Sequence, residues 1–169
     1  MSKGVVIVTG SSRGIGRACA LLAAERGYQV VVNYASNTEA AAEVVSHINR
    51  AGGQAVAVRG DVSVEADIEH IFAAADRMGT LTGLIANAGV VSRSGRVEDY
   101  TIERLQTIVA INVVGTILCC REAVRRMSTK RGGKGGAIVA ISSVASVLGS
   151  PNEYVDYAAT KGAVDSFTI

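Results

Sequence analysis

The chain has 169 residues, 49% of them hydrophobic and 19% charged, which suits one folded domain with a substantial core and excludes a disordered chain. Its 17 basic and 15 acidic side chains leave a formal charge of +2, too near balance to require nucleic acid as a partner. Cys19, Cys119 and Cys120 form neither a CxxC pair nor an even disulfide set, so buried thiols in a reducing, cytoplasmic setting are expected.

In chain order, a β-branched run predicts a strand at Gly4–Val8, followed by a glycine-rich turn and a helix at Gly14–Arg26. A second strand at Gln29–Asn33 leads into a helix at Thr38–Ala51, and a third at Gln54–Arg59 into one at Val64–Met78. The fourth strand is Gly83–Ala86, and the stretch Thr101–Met127 reads as two helices. Arg131–Gly136 reads as a flexible loop, Ala137–Ile141 as the fifth strand, and a last helix begins near Glu153. Short apolar blocks of this kind are expected of buried parallel strands. Their alternation with helices predicts a doubly wound parallel sheet within a single domain. Arg125, Arg126, Lys130, Arg131 and Lys134 read as a solvated helix end. No segment holds the roughly 18 uninterrupted apolar residues of a membrane span, so no membrane partner is expected. The N-terminus lacks a secretory cleavage pattern, and His47 and His70 lack partners at metal-ligand spacing.

Polar or glycine-rich residues gather just after each strand: Gly10–Gly16, Asn33–Ser36, Asp61, Asn87–Gly89 and Ser142–Ser143. In an open α/β sheet, ligands bind outside the carboxyl ends of the strands, where strand order reverses. Five loops therefore converge on one crevice.

Within that crevice, Thr9-Gly10-Ser11-Ser12-Arg13-Gly14-Ile15-Gly16 joins the first strand to the first helix with G-x-x-x-G-x-G spacing. Glycines there allow a tight turn and let backbone N–H groups approach a pyrophosphate at the positive helix end. Tyr157 and Lys161 lie four apart, on one face of a helix, so a phenol and an ammonium can address one ligand. A phenol of pKa about 10 is a weak base at neutral pH, and a nearby cation lowers that value. Tyr154 has Ala158 in the corresponding place. A hydroxyl at Ser142 or Ser143 can hydrogen-bond a carbonyl as negative charge develops on its oxygen. Asn112, inside the apolar run Ala110–Val113, must find hydrogen-bond partners if it is buried. Each of these features has an ordinary structural explanation when taken alone.

Taken jointly and in order, TGSSRGIG, Asp61-Val62, Asn87-Ala88-Gly89, Asn112, Ser143 and the Tyr157-x-x-x-Lys161 pair resemble the short-chain dehydrogenases/reductases, in particular their general, sugar-type or 3-oxoacyl-reductase-like members. The resemblance implies a Rossmann-like sheet of order 3-2-1-4-5, normally extended by two further strands. It implies Tyr157 as general acid/base, Lys161 as the group that lowers its pKa and holds the nicotinamide ribose, Ser143 as the carbonyl-orienting hydroxyl and Asn112 as anchor of a proton-relay water. By the same resemblance Gly10, Ser12, Arg13, Gly14, Ile15 and Gly16 receive the cofactor phosphates. Asn33 and Tyr34 lie near its ribose, Asp61 and Val62 flank the adenine, and Asn87, Ala88 and Gly89 shape the floor. The expected activity is hydride transfer between NAD(P)(H) and a small-molecule carbonyl or alcohol, in a homodimer or homotetramer.

The sequence departs from the family pattern at Ala86, where asparagine is usual, and at Ser143, which sits one position further from Tyr157 than is common and leaves Ser142 open. The chain also stops inside the Tyr157 helix, which reads as a C-terminal truncation. NADP(H) is expected in preference to NAD(H). Asn33, Tyr34 and Ala35 offer no carboxylate at the end of the second strand, and Arg13 can meet a 2′-phosphate. A non-catalytic dinucleotide-binding module, and an epimerase or dehydratase using the same Tyr-Lys pair, are the competing readings.

Overall fold

The computed structural model describes residues 2–169. Strands β1 (Val5–Val8), β2 (Gln29–Tyr34), β3 (Gln54–Arg59), β4 (Leu81–Ala86) and β5 (Ala137–Ala140) form a parallel sheet of order β3-β2-β1-β4-β5. Each expected strand is present, with ends displaced by at most two residues. β4 begins earlier than its apolar pattern suggested because Leu81 pairs with Val5 across a register shift between Val5 and Val6.

Five longer helices and one single turn cover the sheet: α1 (Gly14–Glu25), α2 (Thr38–Arg50), α3 (Glu65–Met78), then a rod from Ile102 to Met127, a turn at Ala145–Leu148, and a final helix, Val155–Phe167. The rod was expected as two helices. It is continuous: α4 (Ile102–Val109) and α5 (Thr116–Met127) are joined through a π-helical segment, Ala110–Gly115. The short turn is α6 and the final helix α7. By length and composition the rod could cross a membrane, but 44% of its most apolar window is buried within this fold. Ile108, Cys119, Cys120, Ala123 and Met127 are its buried apolar side chains, joined by the polar Asn112, Thr116 and Glu122.

β1 is buried on both faces, and strict alternation divides its side chains between two cores. Val5 and Ile7 pack with Ile68, Ile71, Phe72 and Ala123 on the α3/α5 side, while Val6 and Val8 pack with Ala20, Ala41, Val44 and Ile48 on the α1/α2 side. Burying each such Val or Ile contributes about 1.5–3 kcal/mol, so the middle of the sheet is firmly held. The edges differ from the expectation of fully buried strands. Val56 on β3 is 37% exposed and Val139 on β5 is 50% exposed, both on the outer strands of the sheet. The expected loop Arg131–Gly136 is largely exposed and touches the domain through Gly133 and Gly136, which lie against Met127.

Chain order reverses about β1, whose neighbours are β2 on one side and β4 on the other. The crevice this reversal creates at the carboxyl ends of the strands carries the site.

Candidate active site

A cleft of about 420 Å³ opens at those strand ends. Gly10, Ser12, Arg13, Gly14 and Ile15 line it from the first turn, and Asn33 and Tyr34 from the second strand. Asp61 and Val62 enter from the third strand, and Asn87, Ala88 and Gly89 from the fourth. Of the residues expected at the phosphates, the adenosine and the floor, all except Gly16 thus face one space, and Lys161, expected at the nicotinamide ribose, is not in its lining. Gly16 is buried beneath it, where a Cβ would sit 2.5 Å from Gly10 O and 2.5 Å from Asn87 Nδ2. Its bare Cα is what lets α1 approach the turn so closely. Gly10 has φ +62, a left-handed conformation natural to glycine. α1 begins without any side-chain cap at Arg13, so its first N–H groups face the cleft uncommitted to a capping side chain.

The asparagines hold this frame. Asn33 is buried; its Oδ1 accepts from Gly10 N at 3.1 Å, and its Nδ2 donates to Gly60 O at 2.9 Å and Val58 O at 3.3 Å. Asn87 Nδ2 donates to Thr9 O and Gly10 O at 2.9 and 3.0 Å, while Thr9 Oγ1 accepts from the backbone N–H of both Asn87 and Ala88. Asp61 caps its own loop by accepting from Ser63 N and Oγ. The side chain of Asn33 therefore supports the turn from below. The positions free to meet a group beyond β2 are Ala35, Ser36 and Asn37, which line the cleft and are exposed. Sequence reasoning reached Ser36 only as part of a loop and missed Asn37. The signal for Asn37 was available, because its Oδ1 caps α2 by accepting from Ala40 N.

A second cavity, of about 470 Å³, is lined by Val91, Ser143, Val144, Ala145, Leu148, Ser150, Tyr154 and Tyr157. Tyr157 comes from the first turn of α7 and Ser143 from the loop after β5. The Ser142 hydroxyl instead donates to Lys161 O at 3.3 Å. Tyr154 meets Tyr157 edge-to-face, with ring centroids 6.0 Å apart.

Lys161 is 5% exposed, and its Nζ lies 5.6 Å from the centre of the Tyr157 ring. That Nζ donates to Ile141 O at 2.7 Å and has no salt-bridge partner among the described residues. Burial pushes its pKa below the ordinary lysine value, with Asp165 pulling weakly the other way. Lys161 Nζ also approaches Gly89, where a Cβ would be 3.6 Å away, so the ammonium stands at the rim of the cofactor-sized cleft.

Asn112 lies in the π-helical segment and is 1% exposed. Its Oδ1 accepts from Val90 N at 2.8 Å; its Nδ2 donates to Val90 O at 2.9 Å and Thr160 Oγ1 at 3.1 Å. The loop after β4 is thereby fastened to both the rod and α7. The main-chain carbonyl of Asn112 accepts from Thr116 Oγ1.

Residues 4–169 match the family described as short chain dehydrogenase. The chain belongs to this family. Family members use a nicotinamide dinucleotide, and the uncapped α1, the glycine cradle and the unpaired buried ammonium fit one. The short-chain dehydrogenase chain is 53% identical over 165 residues to the uncharacterized oxidoreductase YgfF of Escherichia coli K12, covering 97% of this chain and 67% of that protein. It is 37% identical to a 3-oxoacyl-[acyl-carrier-protein] reductase of Synechocystis, covering 97% and 65%. It is 36% identical to a tetrahydroxynaphthalene reductase of Pyricularia oryzae, covering 96% and 56%. The chain thus spans between about half and two thirds of the length of these relatives.

Proposed function

We propose that this chain is the cofactor-binding and catalytic domain of an NADP(H)-dependent carbonyl reductase or alcohol dehydrogenase. The observation that carries the reading is the buried, unpaired ammonium of Lys161 beside the Tyr157 ring, between the long cleft and the cavity of Ser143. When bound, reduced nicotinamide supplies the hydride that goes to the carbonyl carbon. The chain's own task is to place that carbon and manage one proton. Ser143 Oγ donates to the carbonyl oxygen and holds it; Tyr157 Oη gives its proton to the same oxygen as the C–O bond becomes an alkoxide. The Lys161 ammonium stabilises the phenolate left behind, and its position at Gly89 lets it hold ribose hydroxyls as well. In oxidation each step runs in reverse, with Tyr157 phenolate accepting the proton.

NADP(H) is favoured over NAD(H) because the exposed rim beyond β2 is Ala35, Ser36 and Asn37, with no carboxylate to repel a 2′-phosphate. Arg13 lines the same cleft and supplies a guanidinium. The lining of the second cavity carries no charged side chain, which suits a neutral carbonyl compound. Two relatives are named as reductases, a 3-oxoacyl-[acyl-carrier-protein] reductase and a tetrahydroxynaphthalene reductase, which supports a reductase reading. The Tyr157/Lys161 pair argues against a non-catalytic binding module, which needs neither residue, and a homodimer or homotetramer is the expected assembly.

The deciding experiment uses the full-length protein. Tyr157→Phe should retain nucleotide binding and lose roughly 10²–10⁴-fold in turnover, the usual worth of a positioned proton donor. NADPH should bind more tightly than NADH. Near-normal turnover by Tyr157→Phe, or tighter NADH binding, refutes the corresponding half of the proposal.

A further inference from the structure

One buried ion pair stands outside the machinery described so far. Arg104, on α4, grips Asp156 with two bonds: Nε to Oδ2 at 2.7 Å and Nη2 to Oδ1 at 3.0 Å. The Asp156 side chain is 2% exposed and that of Arg104 17%. The remaining nitrogen, Nη1, donates to Arg93 O at 2.7 Å, and the guanidinium lies 3.9 Å from the centre of the Tyr100 ring. The loop after β4 is further tied to the start of α7 by Gly95 N donating to Glu153 O at 2.7 Å. Burial pushes the Asp156 carboxyl up, but the Arg104 hydrogen bonds and charge outweigh this and leave it below the ordinary aspartate value.

Asp156 is the residue immediately before Tyr157. On α7, Asp156 and Thr160 lie four apart on one face, and Tyr157 and Lys161 lie four apart on the adjacent face. Both members of the first pair are bound to the α4–α5 rod, Asp156 through Arg104 and Thr160 through Asn112. A helix fixed at two points one turn apart cannot rotate about its axis, so the neighbouring face keeps its aim. We infer that Arg104 and Asp156 are positioning residues for Tyr157, setting the rotation of α7 that directs the phenol toward the carbonyl. The same clamp holds, through Arg93 O, the loop bearing Val91, which also lines that cavity. The inference rests on the reading of Tyr157 as the proton-transfer group.

A bidentate guanidinium–carboxylate pair fixes direction as well as distance, which a lysine at the same place cannot do. The test compares Arg104→Gln, Arg104→Lys, Asp156→Asn and Tyr157→Phe in the full-length enzyme. Turnover is expressed per nucleotide-binding site, with sites counted by fluorescence titration with NADPH. Arg104→Gln should lower kcat roughly 10–100-fold and raise KM for the carbonyl substrate. The NADPH dissociation constant should change far less than kcat, because the loops after β1, β2, β3 and β4 line the cleft and α7 contributes only Lys161 at its rim. Arg104→Lys should recover only a minor part of the loss, and the isosteric Asp156→Asn guards against failure to fold. Unchanged kcat per site in the clamp variants, or full recovery by Arg104→Lys, overturns the inference while leaving the Tyr157 assignment intact. A fully active Tyr157→Phe overturns both.

Discussion

Replacing Asn112 with alanine removes three hydrogen bonds at once, and their surroundings set the size of the effect. Thr160 keeps its bond to Tyr157 O, so its hydroxyl is not left unpaired. Val90 is 38% exposed, so water can reach its N–H and C=O once the side chain is gone. The loss is then about 1 kcal/mol for each bond, plus a smaller cost for the space vacated at a fully buried position. A total of roughly 2–4 kcal/mol corresponds to a fall of about 5–15 °C in Tm for a domain of this size. Because the bonds secure the loop that carries Ala88 and Gly89, nucleotide affinity should fall in parallel. Thermal unfolding and NADPH titration of the same samples measure both.

Asn112→Asp sharpens the test. It preserves shape and the bond from Val90 N, yet turns a second oxygen toward Val90 O. A buried carboxylate facing an acceptor has its pKa raised above the unfolded value of about 3.9. The protonated form can donate to Val90 O, so this variant's stability is fully present below that value and is lost as pH rises through the folded pKa. At neutral pH it should be less stable than Asn112→Ala, despite being the closer mimic. A normal Tm and normal nucleotide affinity in Asn112→Ala, with only kcat reduced, would refute the reasoning. That pattern would put the residue on a proton path and not in the frame.

Gly16→Ala should destabilise by about 1–3 kcal/mol or more, because its methyl group meets the backbone oxygen of Gly10 and displaces Asn87; denaturant unfolding measures it, and nucleotide binding should weaken with it. Lys161→Met should abolish turnover yet stabilise the unliganded fold, since burial lowers the folded pKa of Lys161 and charging it costs free energy below that value. The unfolded chain binds more protons between that folded pKa and about 10.4, so this contribution to stability improves as pH rises through the window. The difference between wild type and Lys161→Met should therefore narrow with alkaline pH, and a constant difference would exclude burial of the charge as its cause.

Much of the fold was legible because the sheet is parallel and its helices are amphipathic. β-branched blocks and helical periodicity alternate from Val5 to Met78 without ambiguity, and the strand order follows from the family pattern. The rod was harder. The stretch Thr101–Met127 reads as two helices, whereas a π-helical segment, Ala110–Gly115, carries one rod through Gly115 without a break. The four-residue α6 is too short to show periodicity. The Arg104–Asp156 clamp joins positions 52 apart, and nothing local in either segment announces the other.

Candidate site residues divide into two kinds that a motif does not distinguish. Thr9, Asn33, Asn87 and Asn112 are polar and lie at strand ends or in the rod, yet their side chains are committed to backbone groups of neighbouring segments. Ser12, Arg13 and Ser36 line the cleft and Tyr157 the cavity, and none of their side chains makes a hydrogen bond to another segment among the described residues. Lys161 lies between the two kinds, with one bond to Ile141 O and capacity for two more. The division has a physical origin. Where a sheet reverses its strand order, adjacent loops diverge and leave backbone groups unpaired on both sides of the opening. Some polar side chains must satisfy those groups before any can serve a ligand. The asparagines meet that demand, and their bonds are what hold the glycine turn and the Ala88–Gly89 floor still enough for the free groups to act. Substitution of either kind should lower activity, but only loss of the frame should lower Tm and nucleotide affinity together.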